Sequence, residues 1–181
     1  MTSTLRAFDL ANQMMAPAAP AAASATKPDL GVMPEWDLSD LYRGMDAPEV
    51  SRDLTNAAAD AKALKETWAG KLVAVGSDGA RLAQAVTAYE TLSDLMGKLG
   101  SYAGLMYAAN QTDPTRAKFY GDVSEKLTAI YSDLLFFELE LNQIADDALA
   151  KALGHADLAR YKPWFDDLRK EKPYQLDEKL E

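Results

Sequence analysis

The chain has 181 residues, enough for one domain, and 48% of them are apolar, as in a globular protein. A net charge of -9 repels phosphate backbones and anionic membranes, so neither nucleic acid nor a membrane is expected as a partner. With no cysteine and a single histidine, His155, the chain can build no disulfide framework, thiolate zinc site, cysteine nucleophile or two-histidine metal site.

Residues 1–33 read as a disordered Ala/Pro-rich extension. Asp9, Asn12 and Gln13 interrupt the apolar run that a secretory signal needs, so none is expected. No apolar run approaches the roughly 20 residues that cross a bilayer, and a cytoplasmic location is the expectation. Order is predicted to begin at "PEWDLSDLY", where Trp36, Leu38, Leu41 and Tyr42 can anchor the chain and Asp37 with Asp40 marks a short helical turn.

A helix of about six turns follows, with Asp46 read as its N-cap, Pro48 in its first turn and Gly70 just past its end. Its apolar face is Val50, Leu54, Ala57, Ala61, Leu64 and Trp68, repeating at steps of three and four. The turn "GSDG", Gly76 to Gly79, is a helix-start signal rather than a phosphate cradle. From about residue 80 to 109 a second helix carries a seam of Leu82, Val86, Tyr89, Leu92, Met96, Leu99, Ala103 and Met106. Gly97, Gly100 and Gly104 sit inside it at a cost of up to about 1 kcal/mol each, which close approach of a neighbouring backbone, or a hinge or substrate contact, would explain.

Asp113 and Pro114 then form an N-cap and first helical position. The third pattern runs to about residue 145, with Tyr120, Leu127, Leu134 and Leu141 interleaved with Val123, Ile130, Phe137 and Ile144. The short polar connection predicts an antiparallel hairpin with arms of about 45 Å. Shorter helices follow in "DDALAKALG" and "ADLARYKPWFDDLRKEK", with Pro163 kinking or beginning the latter, and then "PYQLDEKLE". In that last segment Asp177 and Glu178 open a helix that the chain leaves within about one turn, so it looks cut rather than finished. The fold class expected is all-α, a helical bundle dominated by the long antiparallel hairpin of about 80–109 and 114–145 with shorter flanking helices.

No G-x-S-x-G, H-E-x-x-H, Walker or dinucleotide motif occurs. Asp146 with Asp147 and Asp166 with Asp167 are adjacent in sequence, so on a helix they diverge by about 100° and read as solvated faces and helix starts. His155, after Gly154, reads as a loop histidine near a helix end, with a ligand or base role as the competing reading. In "LLFFELELNQI", Glu138 and Glu140 are separated by about 200° and cannot chelate one ion together. They fall at the edges of a helix buried on two faces, with Leu135 and Leu139 as its second stripe. Two readings remain for them: edge carboxylates paired with an Arg or Lys, or a carboxylate facing a functional cavity.

Four segments, "WDLSDLY", "LGSYAGLMYAANQTDPTRAKFYGDVSEKL", "LLFFELELNQI" and "LARYKPWFDDLRKEKPYQLDEKLE", together resemble the N-terminal region of the oligoendopeptidase F family. These are zinc metallopeptidases related to thimet oligopeptidase, and the resemblance extends from Pro34 to Glu181. It implies a helical lobe, residues 34–181, forming one wall of a channel in which short peptides are cleaved. A catalytic lobe carrying H-E-x-x-H and a downstream glutamate would form the other wall and hold Zn²⁺. None of those ligands maps onto this chain, so no catalytic or metal residue is assigned to it, and no substrate-binding residue is known. The expected partners are the catalytic lobe of the same enzyme and, for the complete enzyme, short peptides. The alternative is a free-standing helical-hairpin interaction module without activity. An H-E-x-x-H coding sequence beyond codon 181 would favour the enzyme fragment over the module.

Overall fold

Cap and breaker residues place the element boundaries in the computed structural model, which describes residue 31 and residues 36–175. The chain divides into two units, Met1–Trp36 and Asp37–Glu181. In the first, only Gly31 and Trp36 are described, so the expected extension over 1–33 lies almost wholly outside the described residues, as do Asp177 and Glu178 at the other end. Trp36 is exposed, against the expectation that it anchors the chain. All the elements below belong to the second unit.

That unit opens with one turn, in which the Leu41 and Tyr42 N–H groups donate to Leu38 O and the Ser39 N–H to the Asp37 carboxylate. Tyr42 is buried, while Leu38 and Leu41 pack half-buried against the core. Helix α1 spans Pro48–Trp68. Its N-cap is Ala47 rather than Asp46, because Pro48 is fixed in the first helical positions and no side chain caps the end. All six residues of its predicted apolar face are buried. Gly70, at φ 74°, supplies the left-handed turn that ends α1.

Helix α2 spans Gly79–Ala109, with the Asp78 carboxylate accepting from the Arg81 N–H. Helix α3 spans Pro114–Gln143, with the Asp113 carboxylate accepting from the Thr115 and Arg116 N–H groups. Contacts across this hairpin run in opposite order from tip to base: Tyr107 stacks on Tyr120 and Tyr102 meets Phe119 edge-on near the tip, and Tyr89, earlier on α2, stacks on Phe137, later on α3. The predicted antiparallel pair is therefore present, with α3 ending two residues before the expected position. Helix α1 lies against both arms, its Lys65 ion-paired to Asp133 of α3 and its Trp68 under the Arg81 guanidinium of α2.

Among the described residues the fold is all-α, a helical bundle with no strand. Helix α4, Asp146–Ala152, is followed by a 3-10 helix over Ala156–Tyr161, α5 over Lys162–Glu171 and a final 3-10 turn at Lys172–Tyr174. Pro163 begins α5 rather than kinking a longer helix. No helix among the described residues is long and apolar enough to cross a membrane.

Close approach does not explain the glycines of α2. A methyl group at Gly97 or Gly104 would meet nothing within 4 Å, and one at Gly100 would meet only the end of the Leu127 side chain at 3.3 Å. The glycines that space demands are Gly76, in the turn before the helix, and Gly79, its first residue. At Gly76 a methyl would stand 2.6 Å from Ile144, and at Gly79 2.5 Å from the His155 Cβ and 2.8 Å from Ala152 O.

Candidate functional site

On α3, Tyr131, Leu134, Leu135, Glu138 and Leu139 recur at steps of three and four, which places them on one side of the helix. With Tyr89 of α2 and Gln175 they line a cleft of about 250 Å³. Its floor is apolar, Leu134 and Leu139 being buried. Its rim is open, because Tyr131 is 53% and Leu135 49% exposed. The exposure of Leu135 corrects the expectation of a second buried stripe through Leu135 and Leu139. The second buried face uses Phe136 and Leu139 instead, one helical position further round.

Glu138 supplies the charge in this cleft. Its Oε1 accepts a hydrogen bond from the Tyr89 hydroxyl at 3.1 Å, and among the described residues no Lys or Arg pairs with it. The ring of Tyr89 is committed elsewhere, stacked on Phe137 at 4.3 Å and lying 6.1 Å from Trp164, so only its hydroxyl serves the carboxylate. Burial, and then the negative charge of Glu138, push the Tyr89 hydroxyl well above the ordinary tyrosine range, which keeps it a donor at any working pH. Two other clefts flank α2, of about 350 and 510 Å³, and are lined mainly by Ala and Thr with one carboxylate each, Asp60 and Asp157.

Glu140 points away from this cleft, as its 200° offset from Glu138 requires. Both of its oxygens accept backbone N–H groups just past α1, from Gly70 at 2.6 Å and Leu72 at 3.2 Å. The expected Arg or Lys partner is replaced by main-chain donors left unpaired where α1 ends and the chain turns. Glu140 therefore ties the α1 exit to α3. The carboxylate that lines a cavity is Glu138.

His155 occupies the N-cap of the 3-10 helix, its Nδ1 accepting from the Asp157 N–H at 3.4 Å. Asp146 and Asp147 open α4, and Asp166 and Asp167 lie exposed on α5. Among the described residues no group of three or more His, Asp or Glu side chains is placed to hold a metal ion.

Two polar clusters went unread in the sequence. Asp53 is buried on α1, accepting from the Tyr42 hydroxyl at 3.0 Å and from Arg52 Nε at 3.0 Å, with the Lys98 ammonium 4.2 Å above the Tyr42 ring. A carboxylate three residues after Val50 and one before Leu54 is the signal that could have revealed it. At the other end of the unit, Arg169 donates to Asn142 O and Ile144 O, both at 2.7 Å, satisfying carbonyls that the end of α3 leaves open.

No curated protein and no solved structure matches the chain. The family model Peptidase_M3_N, described as oligopeptidase F, matches residues 140–181. That stretch begins at Glu140, takes in Arg169 and the short helices that close over the α3 exit, and contains the last of the four segments on which the resemblance rests. Residues 140–181 are thus similar to the N-terminal region of oligopeptidase F.

Proposed function

We propose that residues 34–181 form the N-terminal lobe of a zinc-dependent oligoendopeptidase, a helical wall of the channel in which short peptides are cleaved, contributing neither a metal ligand nor a catalytic group. The carrying observation is the oligopeptidase F match over residues 140–181. The helical hairpin suits the role, because a wall needs rigidity and long helices packed along their length supply it. The residues of this chain do not fit a zinc centre of the family's kind. The one imidazole is engaged through Nδ1 by a backbone N–H with a single carboxylate, Asp157, 3.8 Å away, and among the described residues no group of three such side chains is placed to hold a metal ion. Metal and general base would therefore come from the catalytic lobe, the chain's proposed partner.

Two measurements test this reading. Dialysed against buffer, the chain is expected to retain no stoichiometric zinc and to cleave no quenched-fluorescent peptide. Zinc near one equivalent with chelator-sensitive cleavage would overturn the proposal. Mixed with an oligoendopeptidase F catalytic lobe from which its own N-terminal lobe has been removed, the chain is expected to raise peptide cleavage above that of the lobe alone.

A further inference from the structure

We infer that the cleft between Tyr89 and Glu138 is a subsite for the guanidinium of an arginine side chain in a bound peptide. This inference deepens the channel-wall reading and rests on it. Glu138 is a half-buried carboxylate fixed in direction by one neutral donor, the Tyr89 hydroxyl, and lacking a cation among the described residues. A carboxylate accepts at about four lone-pair positions, and one hydroxyl leaves room for a bidentate fork. Beside it the ring of Tyr131 is half-exposed seven residues earlier on the same face of α3. Tyr131 lines the same cleft as Tyr89 and Glu138. Tyr131 is thus free to stack on a cation, whereas the faces of Tyr89 are shared with Phe137 and Trp164.

Leu134, Leu135 and Leu139 supply an apolar channel for an aliphatic stem, and about 250 Å³ holds one long side chain rather than a helix or a whole peptide. Charge and shape favour arginine over lysine. The planar guanidinium is more weakly hydrated, stacks on a ring face and meets a carboxylate with two parallel N–H groups, while an ammonium does none of these as well. A peptide carrying arginine would be held by this subsite with its backbone along α3.

The test is a chemical-shift titration of the isotope-labelled full chain with acetyl-Ala-Arg-Ala-amide and its citrulline counterpart, which keeps the shape and removes the charge. A citrulline peptide with a free N-terminal amine completes the set. The arginine peptide is expected to shift resonances of Tyr131, Leu135 and Glu138 and to bind roughly fivefold or more tightly than either citrulline peptide. Glu138→Gln should remove that preference. Tyr131→Ala, at an exposed position that threatens the fold little, should weaken arginine binding and Tyr131→Phe should not. Equal binding of arginine and citrulline peptides, preference for the free-amine peptide, or no shifts with any of them would overturn the inference. Restored cleavage in the lobe-mixing experiment alongside such a result would leave the channel-wall reading standing.

Discussion

Asp53 is a buried carboxylate whose pKa nonetheless lies below the ordinary aspartate value. Burial raises it, and hydrogen bonds from Arg52 and Tyr42 with the charges of Arg52 and Lys98 more than compensate. A carboxylate whose pKa is depressed by folding contributes stability that is fully present above its unfolded value, about 3.9, and lost as pH falls through the folded value. Urea unfolding is therefore expected to show Asp53→Asn less stable than the parent at pH 7 by about 1–3 kcal/mol. The gap should narrow below pH 4, where the parent's carboxylate also protonates. A gap independent of pH would mean that packing rather than charge makes Asp53 valuable. Tyr42 couples to the same group, its hydroxyl held above the ordinary tyrosine range by burial and by Asp53. Tyr42→Phe should cost less than Asp53→Asn, since it removes one of several donors. These residue-level ties were the least legible part of the chain. Asp53 pairs with Tyr42 eleven residues away, and Glu140 with main-chain groups of Gly70 and Leu72, 70 and 68 residues away. Helical periodicity tells which direction a side chain points but not which distant backbone it meets, so Glu140 looked like half of an ion pair and proved to be a cap.

At the scale of elements, periodicity and capping residues together placed the hairpin, though not every residue of its faces. Asp78, Asp113 and Pro114 announce where α2 and α3 begin, and seams repeating at three and four residues identify the faces that the hairpin buries. Tyr120, at the far end of the α3 seam, is exposed, because nothing described covers the hairpin tip and it stacks only on Tyr107. Glycine was misread for a related reason: its presence in a helix signals missing volume only if a neighbour occupies the space, and that is a tertiary fact. Gly97 and Gly104 have no such neighbour and lie in ordinary helical backbone. Gly97→Ala and Gly104→Ala are each expected to stabilise the chain by about 0.5–1 kcal/mol, through reduced freedom of the unfolded backbone. Gly79→Ala is expected to destabilise it, because the added methyl would press on His155 Cβ and the Ala152 carbonyl, neither of which is a flexible side-chain end. Thermal melts of the three variants decide the matter. Destabilisation by Gly97→Ala or Gly104→Ala would indicate that those positions need flexibility instead of helix.

Across the whole chain, the exposed apolar residues and the acidic charge act against each other. Tyr131 with Leu135 on one face of α3, and Leu105 and Tyr120 near the hairpin tip, are large side chains left in contact with water. Their burial against a second surface would be worth roughly 25 cal/mol per Å² of apolar area covered. A net charge of -9 opposes association of two copies at neutral pH, and this opposition weakens toward the isoelectric point near 4.6 and with added salt. The chain is therefore expected to bind a hydrophobic dye at pH 7 and to self-associate as pH approaches 5. Salt should promote that association at pH 7, where the net charge is large, more than at pH 5. Sedimentation velocity at two pH values and two salt concentrations separates the effects. A dye-silent monomer under all four conditions would show that these side chains form no continuous apolar surface. Association with no salt dependence at pH 7 would show that charge is not what keeps copies apart. If Tyr131→Ala lowered dye binding without changing helicity, the dye would be reporting the α3 face beside Glu138, the face proposed to meet peptide.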